Sequence, residues 1–130
     1  MSEIDWEKKE LWHKRGKNFL IEVKHWRNEP YHQEDGGHRW AVYVYVYPEH
    51  PLFKELERSR SGVPQEMPLH CGESFYGKHL NTYHIITSVQ VGADYNHDGD
   101  TRYTHMAQDE AGFVLADAEE LFRYMEGVVR

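Results

Sequence analysis

Three carboxylates, one imidazole and two glycines lie within the ten residues from Val91 to Asp100, directly after an alternating apolar run. A second short polar turn, Pro68 to Gly72, offers another imidazole, that of His70. Residues of these types at this density are typical of a metal or catalytic centre rather than of a hydrophobic core. We therefore expect the chemistry of this chain to be located at these two turns.

The first turn has the spacing of metal ligands. Asp94, His97 and Asp100 follow one another at intervals of three, which brings side chains to one side of a helical turn or around a tight loop. Zinc binds imidazole nitrogen and carboxylate oxygen in a tetrahedron, and a further ligand can come from His70 or His50. The sequence thus predicts a divalent-metal site, with zinc favoured, formed by His50, His70, Asp94, His97 and Asp100.

Other interpretations of the same residues stay open. Asn, Asp and Gly are ordinary turn residues, so the segment can also be a well-capped connection with exposed carboxylates. Asp94 to Gly99 matches the first half of a calcium loop, but the twelfth position is His105 where glutamate is needed. Cys71 beside His70 is a weak nucleophile candidate, because adjacent side chains of an extended segment point apart.

The elements that must position these turns are mainly strands. Residues 19–26, 40–47 and 83–93 alternate between apolar and polar positions, which is the period of half-buried strands. Within 19–26 the inward face includes His25, and within 40–47 the tyrosines share the face opposite Trp40. One or two helical turns are expected around Leu52 to Leu56.

Helices are expected at both ends of the chain. A helix from Ser2 is predicted to end at Gly16, and an amphipathic helix begins with a capping box at Asp117. There is no internal repeat and no long linker, so residues 1–130 should form a single domain. The predicted fold class is α+β, with a mostly antiparallel sheet and terminal helices packed on one face.

Composition limits the partners. A chain of 130 residues with 39% hydrophobic residues can bury a real core, and its net charge of −7 disfavours direct nucleic-acid binding. A basic or neutral protein is the easier partner. The single cysteine and the absence of a long apolar run favour the cytoplasm over an oxidising compartment or a membrane.

The order of the motifs resembles that of an uncharacterised family of small bacteriophage and prophage proteins. The matching segments are GKNF at 16–19, HRW at 38–40, YPEHPLF at 47–53, LHCG at 69–72, VGADYNH at 91–97 and DAE at 117–119. In that family the second turn reads His-Gly-Gly, and an aspartate, a histidine and an aspartate follow at intervals of three. His70, Asp94, His97 and Asp100 occupy those positions, while Cys71 replaces a glycine. The resemblance implies a shared site and a phage setting, without a known reaction.

Two functions follow from these observations. In the first, the chain is a small acidic phage protein that binds and inhibits a host defence component, such as a CRISPR nuclease, with the metal holding irregular loops in place. In the second, the ion is catalytic in the hydrolysis of a phosphoester or amide. His50, His70 and either His97 or Asp94 would then leave one position for water, with Asp100 or Asp98 as base.

Overall fold

The fold consists of one antiparallel sheet and two α-helices. The computed structural model describes residues 7–8, 11–58, 63–64, 66–95 and 100–128. The six strands lie in the order β1-β2-β3-β4-β6-β5, with each neighbouring pair antiparallel. Their bounds are β1 Glu7–Lys8, β2 Leu11–Gly16, β3 Phe19–Arg27, β4 His38–Val46, β5 Phe75–Leu80 and β6 Ile86–Asp94. The helices are α1 Phe53–Arg58 and α2 Gly112–Gly127, preceded by 3-10 helices at Thr101–His105 and Gln108–Glu110. The predicted α+β class is confirmed.

Both α-helices pack on the same face of the sheet. The alternating residues that face inward from the three central strands are completely buried, as predicted for β3 and β4: Ile21, Val23, Val44, Val89 and Val91. The Phe122 ring of α2 lies 5.2 Å from that of Phe19 in β3. Tyr76 of β5 donates a hydrogen bond to the carbonyl of Leu56 in α1. Burial of these side chains against one face supplies the apolar area on which the fold depends.

The predicted N-terminal helix is wrong over the residues that the structure describes. Residues 7–8 and 11–16 are strands, and the remainder of 1–10 lies outside the described ranges. The turn Lys17–Asn18 joins β2 to β3, with Asn18 at a φ of 67°, a conformation that Asn tolerates well. Trp12 of β2 faces inward and stacks on Trp40 at 5.7 Å. This packing and the pairing with β3 outweigh a thin helical pattern.

Two further boundaries differ from expectation. Helix α2 begins at Gly112, five residues before the predicted capping box, although its predicted inward residues Ala118, Leu121 and Met125 are buried. Strand β6 begins at Ile86 because residues 81–85 form a turn. In this turn the Asn81 side chain accepts hydrogen bonds from the backbone N–H groups of Tyr83 and Ile85. Strand β5 was not predicted, since it is an exposed edge strand with little alternation.

None of the described helices is long and apolar enough to cross a membrane.

The opposite face of the sheet is polar and is partly covered by the 28–37 loop. Arg39 of β4 forms a buried pair with Asp35, with nitrogen to oxygen distances of 2.7 and 2.9 Å. These hydrogen bonds hold the pKa of the Asp35 carboxyl well below its usual range. Nearby, Glu22 accepts a hydrogen bond from Tyr45 and contacts His13. The tyrosines of β4 therefore face away from the core, as predicted.

Gly92 in β6 provides a test of packing on this second face. A Cβ at Gly92 would lie 2.3 Å from Cδ1 of Tyr43 and 2.6 Å from the carbonyl oxygen of Val42. Overpacking of this kind costs about 1–3 kcal/mol, so Gly92→Ala should lower the free energy of unfolding by that amount. The measurement is chemical denaturation. Gly112→Ala is the control, because a Cβ there meets no atom within 4 Å. Equal stabilities of the two variants would contradict this packing.

Candidate metal centre around His70 and Asp100

The structure brings His70 and Asp100 together from positions thirty residues apart. Nε2 of His70 lies 2.9 Å from Oδ1 and 3.0 Å from Oδ2 of Asp100. The Asp100 side chain is 7% exposed and that of His70 is 18% exposed. A carboxylate buried to this extent needs hydrogen-bonding or charged partners, and the imidazole is one of them. Two of the five predicted ligands therefore lie side by side.

Aromatic rings hold the His70 imidazole in place. Its ring stacks on Tyr95, with centroids 4.1 Å apart and planes at 13°, and meets the edge of Tyr103 at 5.4 Å. Tyr95 is buried and donates its backbone N–H to the carbonyl of Trp40, which prolongs the pairing of β6 with β4. Its hydroxyl donates a 2.6 Å hydrogen bond to Asp117 of α2. Burial, followed by this bond, raises the pKa of Tyr95 strongly.

The turn that carries His70 has an unusual backbone. Gly72 donates its N–H to the carbonyl of Leu69, and both Cys71 and Gly72 have positive φ, 58° and 82°. Glycine adopts this region without the penalty that a Cβ brings. Cys71 adopts this backbone conformation although it carries a Cβ, and its side chain is exposed.

The other predicted ligands have different positions. Asp94 ends β6 opposite Ala41, so it lies on the polar face with Tyr43, whereas Tyr95 and the stacked His70 lie on the core face. The Asp94 N–H donates to Ser74. His97 and the candidate base Asp98 lie outside the described residues.

His50 acts as a bridge between backbone segments. Its Nε2 donates to the carbonyl of Met125 in α2 at 3.0 Å, and its Nδ1 accepts the N–H of Leu52 at 3.1 Å. The ring is 4% exposed and lies edge-on to Phe19. Because both nitrogens are used in this way, the structure assigns His50 to the joint between the end of β4, α1 and α2. It does not bring His50 to Asp100.

The contact between His70 and Asp100 is a hydrogen bond whose two partners are also of the types that bind divalent ions. Tetrahedral zinc with bonds of about 2.0–2.2 Å places its ligand atoms about 3.3 Å apart, a few tenths of an ångström more than the spacing here. An imidazole and a carboxylate are also donors that zinc accepts. Within the described ranges, no group of three His, Cys, Asp or Glu side chains converges to complete a shell.

Two clefts lie along α2, beside the His70–Asp100 pair. One has a volume of about 600 Å³ and is lined by Arg102, Tyr103, Phe113 and the acidic residues Asp109, Glu110 and Asp117. The second, of about 490 Å³, shares Asp117 and adds Glu119, Glu120 and Arg123. Sequence reasoning missed both, because the start of α2 was placed at Asp117 and the first turn of the helix, which lines both clefts, was not assigned to it.

Sequence reasoning also missed a histidine pair. Nε2 of His25 in β3 lies 2.9 Å from Nδ1 of His38 in β4, and the rings stack at 5.1 Å. The His25 ring packs on Trp40 at 4.5 Å. The available signal was the inward-facing position of His25 in the alternation of β3.

We expect the His50 bridge to contribute to stability rather than to metal binding. His50→Ala removes two hydrogen bonds and leaves a cavity, so the free energy of unfolding should fall by about 2–4 kcal/mol. Exposed Lys54 in α1 is a matched control, since Lys54→Ala should change stability by less than about 0.5 kcal/mol. Denaturation of metal-free protein measures both. An unchanged His50→Ala protein would show that the bridge is dispensable.

The same residue predicts a pH dependence. Burial lowers the pKa of His50 from its ordinary value of 6.5. The unfolded chain therefore binds more protons between the folded and unfolded pKa values, so the contribution is present above pH 6.5 and is lost as the pH falls through the folded pKa. Wild-type protein should lose more stability than His50→Ala between pH 7 and the acid end of this window. Parallel pH profiles of unfolding for the two proteins would contradict this assignment.

Comparison with protein-family models, with curated proteins and with solved structures found no match for this chain. The fold and the His70–Asp100 pair are therefore known from the structure, and the resemblance to small phage proteins stays a prediction.

Proposed function

We propose that this protein is an acidic inhibitor that occupies the basic, nucleic-acid-binding surface of a host defence protein, in a phage setting. The observation that carries the proposal is the pair of acidic clefts along α2, with an exposed aromatic ring between carboxylates. Asp109, Glu110 and Asp117 line the larger cleft, and the Phe113 side chain beside them is 65% exposed. Partners with basic channels are attracted to such a surface, and a central aromatic ring provides an anchor.

The charge distribution supports this choice of surface. The chain carries a net charge of −7, and ion pairs inside the fold leave this excess unchanged because each removes one cation and one carboxylate. Arg39 is paired with Asp35, and Lys14 lies 2.8 Å from Glu119. The second cleft still carries Asp117 and Glu120 on the same helix. A nucleic acid would be repelled by this surface, whereas a protein channel that binds nucleic acid would be attracted to it.

The His70–Asp100 pair has a structural role in this proposal. Asp100 directly precedes the 3-10 helix Thr101–His105, and its carbonyl accepts the N–H of Tyr103. Arg102 and Tyr103 form one wall of the larger cleft. The pair thus fixes the segment that shapes the cleft, and a divalent ion such as zinc, bound with His97, would strengthen that link.

A metal-dependent hydrolase is the second candidate. The observation in its favour is the same pair, since an imidazole and a carboxylate 2.9 Å apart can hold an ion or orient each other for proton transfer. Asp100 or Asp98 would then be the base that activates water on a phosphoester or amide.

Inhibition can be tested on purified CRISPR nucleases whose binding to target DNA is followed by fluorescence anisotropy. We expect the protein to weaken target binding of a susceptible nuclease by about tenfold or more, and less at high salt because the contact is electrostatic. The double variant Asp109→Lys/Glu120→Lys should lose this effect. Glu29→Lys/Glu66→Lys has the same net charge and changes no cleft residue, so it should remain an inhibitor. The proposal is overturned if no nuclease in the panel is inhibited, or if both double variants inhibit equally.

The structural and catalytic roles of Asp100 are separable by Asp100→Asn. A structural role predicts a loss of about 1–3 kcal/mol in unfolding free energy, because a hydrogen bond to a charged partner is weakened in a buried setting. The measurements are denaturation, elemental analysis of protein purified without added metal, and turnover of a p-nitrophenyl phosphodiester. Abolished turnover with unchanged stability would instead establish the hydrolase.

A further inference from the structure

We propose that His25 and His38 form a second metal site, which binds an imidazole-preferring transition ion such as Cu²⁺, Ni²⁺ or Zn²⁺. The site is separate from His70 and Asp100 and does not depend on the proposed inhibition. Its two nitrogen donors come from the central strands β3 and β4, at the end of the sheet where the 28–37 loop begins.

The distance between the two nitrogen atoms suits one ion. Nε2 of His25 and Nδ1 of His38 are 2.9 Å apart. Neighbouring ligands of a square-planar or octahedral ion with bonds of about 2.0 Å are separated by about 2.8 Å, and tetrahedral ligands by about 3.3 Å. Cu²⁺ and Ni²⁺ prefer the former geometries, so they need the smallest change in the distance between the rings.

The ring tautomers must change when the ion binds. In the metal-free protein one of the two facing nitrogens carries the proton of their hydrogen bond and the other accepts it. When both nitrogens bind the metal, the donating ring moves that proton to its other nitrogen, so each imidazole stays neutral and no net proton is released. Coordination then replaces the hydrogen bond.

The sheet holds both rings in position before the ion arrives. In the register of β3 and β4, His25 faces Trp40 and His38 faces Arg27, so the histidines are diagonal neighbours on one face. Their planes differ by 19°, and the His25 ring packs on Trp40 at 4.5 Å. Backbone hydrogen bonding continues past the strands, where Asn28 donates to Gly37 at 2.9 Å. Donors fixed on strands lose little freedom upon binding, which favours affinity.

Charged groups of both signs act on the two rings. Burial lowers the pKa of both rings, and Arg27 acts in the same direction on each, which favours the neutral imidazole that binds metals. Glu110 of the second 3-10 helix acts on His38 in the opposite sense, and His105 acts with Arg27. Within the described residues no third His, Cys, Asp or Glu converges on the two rings, so water would complete the shell at these half-buried imidazoles.

The test is titration of the whole protein with Cu²⁺, Ni²⁺, Zn²⁺ and Mg²⁺. Binding is monitored by the histidine ring ¹⁵N signals in NMR and by calorimetry. All titrations use the His70→Gln variant as a parallel sample, which separates this site from the first. We expect the His25 and His38 ring signals to shift with diamagnetic Zn²⁺ and to broaden selectively with paramagnetic Cu²⁺, with affinity highest for Cu²⁺ and undetectable for Mg²⁺. His25→Gln and His38→Gln should each weaken binding by about tenfold or more, while exposed His32→Gln should not.

Two results would overturn the proposal. One is His25 and His38 ring signals in wild-type protein that neither shift at saturating Zn²⁺ nor broaden at saturating Cu²⁺, a result that does not depend on any variant. The other is His25→Gln or His38→Gln binding as tightly as His32→Gln, with the fold verified by circular dichroism. In either case the two rings form only a hydrogen-bonded pair that packs on Trp40.

Discussion

The Tyr95 side chain is the contact on which the candidate site depends. The backbone N–H of Tyr95 extends β6 by one residue, its hydroxyl donates to Asp117 in α2, and the face of its ring stacks on His70. Its ring also meets Tyr103 at 4.8 Å. One buried aromatic residue therefore joins the sheet, the last helix and two irregular segments. Because aromatic stacking and a charged hydrogen bond both act on it, its position is strongly determined.

The contacts of Tyr95 connect the core to the larger cleft. The Tyr95 ring supports His70, whose imidazole engages Asp100, and Asp100 begins the 3-10 helix that carries Arg102 and Tyr103. These last two residues line the larger cleft, and so does Asp117 of α2, which accepts a hydrogen bond from the Tyr95 hydroxyl. The buried polar pair and the acidic exterior are thus parts of a single arrangement rather than two unrelated features.

Alternation in the sequence predicted the central strands because their inward residues repeat every second position. Trp40, Val42 and Val44 face the core, and the intervening tyrosines face away. The amphipathic period of α2 also identified its buried face. Helix position was harder to predict, since Asp117 resembles a cap in sequence but is used by Tyr95 across the core. Strand β2 was missed because Trp12 supports a helical stripe as well as a strand, and only its packing on Trp40 decides between them.

The sequence predicted the residues of the candidate site only in part, because residue type is local and contact is not. Polar residue types identified His70 and Asp100, and their contact across thirty residues is a tertiary fact that local spacing does not contain. The spacing of three residues made Asp94 and Asp100 equal candidates. Strand alternation, however, places Asp94 on the face of the sheet opposite Tyr95, on which His70 stacks. His50 had the residue type of a ligand, whereas its environment uses both nitrogens for backbone hydrogen bonds. Burial and hydrogen-bond partners, not residue type, separate these histidines.

Amide hydrogen exchange of Tyr95→Leu compared with wild type tests the central dependence most directly. The variant keeps an apolar side chain in the core but removes the ring face beneath His70 and the bond to Asp117. We predict faster exchange at the Tyr103 and Met106 amides, whose hydrogen bonds define the 3-10 helix, with unchanged exchange in β3 and β4. Unchanged protection of the Tyr103 and Met106 amides would contradict the account, because the cleft wall would then be held independently of Tyr95.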